Sequence, residues 1–307
     1  MLGIGFAVLS AFGFGVGQVL TQLGFRSGTI TALQALFLNL AAACAGLALA
    51  LALGWGLSPL PLRWSGVAVF ALAGMMAPLA GRSINFLAIE RIGATRTASL
   101  GMSESLFAGV IAYVALDQTV SPITGAGMVI LIAGTVLFVN EIGRTLGQAL
   151  PRFDRREPLT RIGAGTALAL TSGLFYAAAG VLRQVGMNLL PSALLGATVG
   201  SLVALVVTAV NLVRRRQAQG LRRLQGKVVL CLAGSGIAAS TGMVAFFLAL
   251  QFDATVAVAT ALKNTMPLFT FLLAGVVLAR WERISFRLGL LVGLVVAGGV
   301  LTALGRL

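Results

Sequence analysis

The chain has 307 residues, of which 58% are hydrophobic and only 10% charged, against the roughly 25% charged residues of a soluble domain. With a mean hydropathy of +1.00, this excludes a soluble fold and predicts an all-α integral membrane protein, since helices satisfy their own backbone groups in lipid. The net charge of +14 does not indicate nucleic acid: the basic residues lie in short segments between apolar runs, and the densest, RRRQAQGLRRLQGK at 214–227, has no interleaved aromatics to stack bases. That segment reads instead as a topology anchor that also meets anionic membrane lipids.

A hydrocarbon core of roughly 30 Å takes about 20 apolar residues per helix. On that measure the sequence predicts ten transmembrane helices, at about 2–25, 30–53, 65–88, 95–116, 121–140, 162–186, 191–213, 228–250, 254–279 and 287–305. The opening MLGIGFAVLSAFGFG lacks the basic start of a signal peptide and is expected to remain as helix 1. This helix carries Gln22 near its end and the GxxxG pair Gly13 and Gly17. Helix 2 holds Asn39 and Cys44, helix 3 the polar run Arg82, Ser83 and Asn85, and helix 4 the carboxylate Glu104 inside SLGMSESLFAG. A basic segment at 142–161 follows helix 5, after which helix 6 carries Arg183 and Gln184. Cys231 in helix 8 and Cys44 both sit inside apolar runs and read as packing residues. Helix 9 holds Lys263, Asn264 and Pro267, and helix 10 a second GxxxG pair, Gly289 and Gly293; these pairs are the sequence signal for a homodimer. Trp55, Trp64 and Trp281 fall at predicted helix ends, as interfacial anchors do.

The halves of the chain resemble one another. Shifting SAFGFGVGQVLTQLG of helix 1 by 162 residues sets it on SGLFYAAAGVLRQVG of helix 6, matching Ser10 with Ser172, Leu20 with Leu182, Gln22 with Gln184 and Gly24 with Gly186. Ser121, Gly125 and AGTVL in helix 5 likewise match Ser285, Gly289 and AGGVL in helix 10. The expected organisation is a first five-helix repeat at 1–141, the basic segment at 142–161, and a second five-helix repeat at 162–307. Five is odd, so the second copy enters from the opposite face and the repeats are inverted, as in secondary transporters. The segments after helices 1, 3, 5, 7 and 9 hold 17 of the 22 basic residues and the opposite side holds only Arg63 and Arg306, so both termini are expected to face outward.

Residues 249–301 carry a more specific pattern. ALQFDATVAVATALKNTMPLFTFLLAGVVLARWERIS, with Pro267 in mid helix, Glu282 just after it and the glycine-rich GLLVGLVVAGGVL following, resembles the second repeat of the drug/metabolite transporter superfamily in its EamA-like branch of ten-helix carriers. Residues 88–137 look like the first repeat, with departures: Ser105 stands near the proline position, and the acidic position is Asp117 or Gln118. The resemblance implies two inverted five-helix bundles around a central cavity lined by helices 1, 3, 4, 6, 8 and 9, a small-molecule substrate, export as the commoner direction, and residence in a bacterial inner (plasma) membrane. It also implies both termini in the cytoplasm, against the charge count.

Four ionisable residues lie inside the predicted spans and away from their starts: Arg82, Glu104, Arg183 and Lys263. Each costs about 2.5–3.5 kcal/mol at a helix centre, so partners or a wet cavity must hold them. Glu104 and Lys263 both fall about nine residues into their helices, roughly 13 Å deep, at near-equivalent places in the two repeats. They are expected to meet, either as a permanent ion pair or as one for which substrate or a proton competes. Arg82 and Arg183 either snorkel to an interface or join that cavity, with Asn85, Gln22, Gln184 and Asn264 as polar companions; Pro267 is expected to kink helix 9 beside Lys263. Three cations against one carboxylate favour a substrate bearing a carboxylate or phosphate. The leading expectation is a secondary carrier for a small polar metabolite, anionic or zwitterionic, working by alternating access with proton coupling through Glu104. A non-transporting membrane scaffold or subunit is the alternative. An intramembrane enzyme is least favoured, because the chain has no histidine and its acidic residues are dispersed; no cofactor or metal site is indicated.

Overall fold

The computed structural model describes residues 2–53, 63–104, 107–108, 110–111, 121–148, 156–251, 262–278 and 285–304. All regular structure among them is helical. We number the helices α1 (Leu2–Ser27), α2 (Ala32–Ala52), α3 (Trp64–Ile92), α4 (Ala94–Gly101), α5 (Pro122–Gln148), α6 (Arg156–Leu189), α7 (Ala193–Arg214), α8 (Gly226–Gln251), α9 (Met266–Val277) and α10 (Phe286–Leu304); one further helical turn, Ala218–Leu221, lies between α7 and α8. Six helices, α1, α2, α3, α6, α7 and α8, are long and apolar enough to cross a membrane among the described residues. Along α7, Leu202, Val206, Val210 and Val213 are exposed at helical spacing, a stripe suited to lipid. Trp64 stands 76% exposed at the start of α3, while Trp55 and Trp281 lie outside the described residues.

Local chemistry sets several boundaries. Thr31 opens α2 with a capping box: its hydroxyl accepts from the Gln34 amide and Gln34 Oε1 accepts from the Thr31 amide. Gln34 Nε2 then donates to the Gln217 carbonyl at 2.9 Å, tying this helix start to the segment after α7. Pro78 has no amide proton to donate, and α3 widens into a π-helical turn over Met75–Gly81 before returning to α-helix at Arg82. Gly93, at φ 91°, ends α3 and reverses directly into α4, a backbone position glycine takes without steric cost. The basic segment expected at 142–161 gives way to helix at both ends, because α5 runs on to Gln148 and α6 begins at Arg156. Backbone hydrogen bonding does not stop where side chains turn polar, so hydropathy alone marks both ends short.

Helix pairing is the organising feature. α1 packs on α8 and α3 on α6; α2 packs on α8 and α3 on α7; α1 packs on α9 and α4 on α6; α2 meets α7, α4 meets α9, and α5 meets α10. Exchanging each helix for the one five places away maps this set onto itself. One core joins Leu36 and Leu40 of α2, Phe86 and Ile89 of α3, Ala204 of α7 and Leu232 of α8. A second joins Ile92, Leu100 and Ala169 to Leu288, Val292 and Val296 of α10. α4 is wrapped on every side: Ala94 through Leu100 are all buried, including Arg96, a residue counted by charge among those of the segment after the third predicted helix.

Candidate functional site

The Glu104–Lys263 contact lies just beyond the end of α4 and just before the start of α9, the two shortest numbered helices. α4 gives way at Met102 to a turn, after which Ser103 and Glu104 resume helical geometry. On the other side Leu262 and Lys263 are helical, Asn264 and Thr265 form a turn, and α9 starts at Met266 with Pro267 in its first turn. Each predicted continuous helix, 95–116 and 254–279, is therefore interrupted beside its ionisable residue; Ser105, Asp117, Gln118 and Glu282 lie outside the described residues. Interrupted backbone at membrane depth needs protein or water to satisfy it. Gly299 of α10 sits between the two interruptions, its Cα side facing Met102 Sδ and the Asn264 side chain.

Lys263 Nζ lies 3.4 Å from Glu104 Oε1, and the two side chains remain 25% and 30% exposed. The ammonium also stands 5.9 Å from the Phe246 ring centroid, within cation–π range. Glu104 acts electrostatically on Arg183 and on Tyr176 of α6, and Arg82 acts on both. All four intramembrane charges thus belong to one cluster. Tyr176 completes it; nothing in its position near the middle of an apolar helix singles it out in the sequence, and only the meeting of α3 with α6 shows its role.

α6 sets this geometry by its phase. Gly173, Tyr176, Gly180 and Arg183 share one face, opposite the exposed stripe of Ala167, Thr171, Leu174 and Val185. Gly173 lets α4 approach so closely that a side chain there would strike the Ser103 hydroxyl and the Glu104 amide. At Gly81, next to Arg82, the Tyr176 ring lies 3.5 Å from where a Cβ would stand. Gly180 and Gly101 are different: a Cβ at either meets nothing within 4 Å, and Gly180 is exposed although it faces inward. The cluster therefore borders open space rather than packed side chains.

A neutral network anchors Arg82 from behind. Its guanidinium donates to Asn39 Oδ1 at 2.9 Å, and Asn39 Nδ2 donates to the Ser235 hydroxyl at 3.0 Å. The Ser235 hydroxyl lies 2.7 Å from that of Thr21, and both reach the Gly17 carbonyl at 2.8 Å. Asn39, Ser235 and Thr21 come from three helices, separated by up to 214 residues, a distance that conceals the network from sequence reading.

The remaining sequence candidates are placed as follows. Gln22 is buried and its Oε1 accepts from the Ala94 amide, so it holds the start of α4 instead of standing with the charges. Asn264 is 2% exposed and donates to the Gly299 carbonyl at 3.4 Å, bracing the interruption against α10. Asn85 is buried on α3, one turn beyond Arg82. Gln184 lies on α6 next to Arg183, and its side chain is outside the described residues. Arg183 sits six residues inside the end of α6, deeper than the sequence boundary puts it, because the helix continues to Leu189. Gly13 and Gly17 are spent within the chain, facing Ala238, Gly242 and Ser235 of α8, so that pair is not available for a dimer; Gly289 faces the Phe271 ring and Gly293 meets nothing within 4 Å. Cys44 and Cys231 are buried and unpaired.

Residues 1–140 match the EamA-like transporter family. One solved structure, described only as the crystal structure of a protein, is similar over 95% of each chain at 17% identity and a TM-score of 0.57, a likeness of fold alone. No curated protein matches.

Proposed function

We propose that this chain is a secondary carrier for a small polar metabolite, working by alternating access; the match of residues 1–140 to the EamA-like transporter family, in the drug/metabolite transporter superfamily, supports a carrier over an enzyme. The observation that carries the reading is the Lys263–Glu104 contact between two interrupted helices that occupy corresponding places in the halves. Two inverted five-helix repeats account for the self-mapping of the helix pairs and for the 162-residue shift between Ser10 and Ser172. Discontinuous helices meeting at the interface of such repeats are where transporter substrates and coupling ions bind.

In this reading Glu104 is the coupling group. Ionised, it holds the Lys263 ammonium; protonated, it loses the charge and releases Lys263 to a substrate anion. Lys263 contributes a point charge and the two arginines planar donor forks, so the surplus of cations selects an anionic or zwitterionic substrate. The positive-inside count supports both termini facing outward, and the family resemblance supports a bacterial inner membrane.

The test is transport by reconstituted vesicles under an imposed proton gradient, with substrates drawn from the metabolites that change when the protein is removed from cells. Gradient-driven flux that disappears in Glu104→Gln at equal protein levels supports the carrier. Flux that persists unchanged in that variant removes the coupling role, and a wild-type protein that moves no metabolite favours a non-transporting membrane subunit. A reporter fused after Leu307 that is active only in the cytoplasm would reverse the orientation.

A further inference from the structure

Once Glu104 is paired with Lys263, two guanidinium groups remain in the same cluster without a carboxylate of their own among the described residues. Arg82 is held by a neutral partner, Asn39, which satisfies one of its five N–H donors and leaves its charge uncompensated. Arg183 has no hydrogen-bond partner among the described residues, and Glu104, already engaged at 3.4 Å by Lys263, is the one described carboxylate that acts on it. Retaining two uncompensated arginines in a membrane interior is costly unless an anion or water meets them. Between them stands open space: Gly180 lies on the α6 face between Tyr176 and Arg183, and nothing stands within 4 Å of its Cβ position. Arg82 lies on α3 beside Gly81, which faces the Tyr176 ring, and Arg183 lies two turns beyond Tyr176 on the same face of α6.

We propose that Arg82, Tyr176 and Arg183 form an oxoanion site, open over Gly180, that takes the carboxylate or phosphate of the substrate while the Glu104–Lys263 pair stays formed beside it. The inference rests on the carrier reading and refines it, because it moves the anion from Lys263 to the two arginines and adds a residue, Tyr176. The two guanidinium forks supply paired N–H donors suited to two oxygens of one oxoanion, and Tyr176, whose ring lies against Gly81 beside Arg82, supplies its hydroxyl as a further donor. The far end of a zwitterionic substrate then points towards Glu104, whose protonation would free it.

The purified full-length protein in detergent tests this, with its thermal midpoint followed against inorganic phosphate in one arm and succinate in the other, chloride being adjusted to hold ionic strength constant. One or both anions should raise the midpoint saturably, and the arm that responds identifies phosphate or carboxylate as the preferred group. Arg183→Gln should weaken the apparent affinity by about tenfold to a hundredfold, the loss of a charge-assisted contact. Arg183→Lys, which keeps the charge but not the fork, should fall between and serves if Arg183→Gln does not fold. Glu104→Gln should bind at least as tightly as the wild type, because it removes a nearby negative charge. A midpoint that neither anion moves overturns the proposal, as does an equal rise in wild type, Arg183→Gln and Arg183→Lys, which would mark an adventitious ion only. The carrier reading has its own readout in flux: transport of a neutral or cationic solute without anion binding rejects this site alone, whereas anion binding without any flux rejects carriage and leaves the site standing.

Discussion

The seam between α1 and α8 and the seam between α3 and α6 join corresponding helices of the two halves, yet they are built with opposite chemistry. In the first, Gly13 brings α1 so near α8 that an added Cβ would lie 2.9 Å from the Ala238 carbonyl and 3.0 Å from Gly242, and the polar atoms are neutral hydroxyls that satisfy one another and the Gly17 carbonyl. In the second, Arg82, Tyr176 and Arg183 line the contact and Gly180 opens onto space. The same crossing of helices is thus closed by neutral groups at one seam and charged and open at the other. On the proposed reading, this asymmetry of side chains sets where a substrate is received; the seams meet at Asn39, which donates to Ser235 and accepts from Arg82.

The largest effect should come from breaking the charge pair that spans the interrupted helices. Lys263→Met removes the cation 3.4 Å from Glu104 and leaves it only the more distant arginines, a loss of up to about 3 kcal/mol, measurable as a fall in thermal midpoint and in the yield of monodisperse protein. Adding Glu104→Gln should restore much of that stability without restoring proton-driven flux. If the double variant is no more stable than the single one, the pair is not interdependent, and the charged seam is only a set of separate solvated groups.

Next comes the sealed seam. Gly13→Val should destabilise by about 1–3 kcal/mol, because its side chain meets backbone atoms of α8 that no rotamer change can move aside. The measurement is the thermal midpoint, and an unchanged value would show that α1 and α8 slide or part more readily than their contact implies. Asn39→Leu should cost less, about 1–2 kcal/mol, by leaving the Ser235 hydroxyl and Arg82 short of a partner. It should also weaken anion binding while leaving the Glu104–Lys263 pair intact, a split that a purely packing role for Asn39 would not produce.

The divergence of the two seams explains what the sequence could and could not reveal. Helix positions were legible because hydropathy alone marks a span, and α2, α7 and α8 begin and end within two residues of the runs that predicted them. The meeting of Glu104 with Lys263 was legible too, because equal depth in matching helices reduces a long-range contact to arithmetic. Interruptions were harder: Pro267 announced one, but Met102 carries no breaking residue, and Pro78 produces a π-helical turn that hydropathy does not register. Tyr176, Ser235 and Thr21 were invisible because their partners sit on other helices, and hydroxyl groups inside apolar runs read as filler. Gln22 misled for the same reason, since a polar side chain facing inward serves equally well as a backbone cap.

The smallest effect on stability should be the most informative about function. Gly180→Ala adds one methyl group where nothing stands within 4 Å, and a helical alanine is favoured over glycine by up to about 1 kcal/mol, so the thermal midpoint should hold or rise slightly. The methyl nevertheless enters the opening between Tyr176 and Arg183, and a bulkier Gly180→Leu fills it. If that opening receives the anion, phosphate or succinate binding should decline in the order glycine, alanine, leucine while the unliganded protein stays folded, and flux should decline in parallel. Unchanged binding in the leucine variant would mean that the ligand approaches from elsewhere, most directly over Gly101, where the Cβ position is equally free, and the α3–α6 seam would then differ from the α1–α8 seam in charge but not in use.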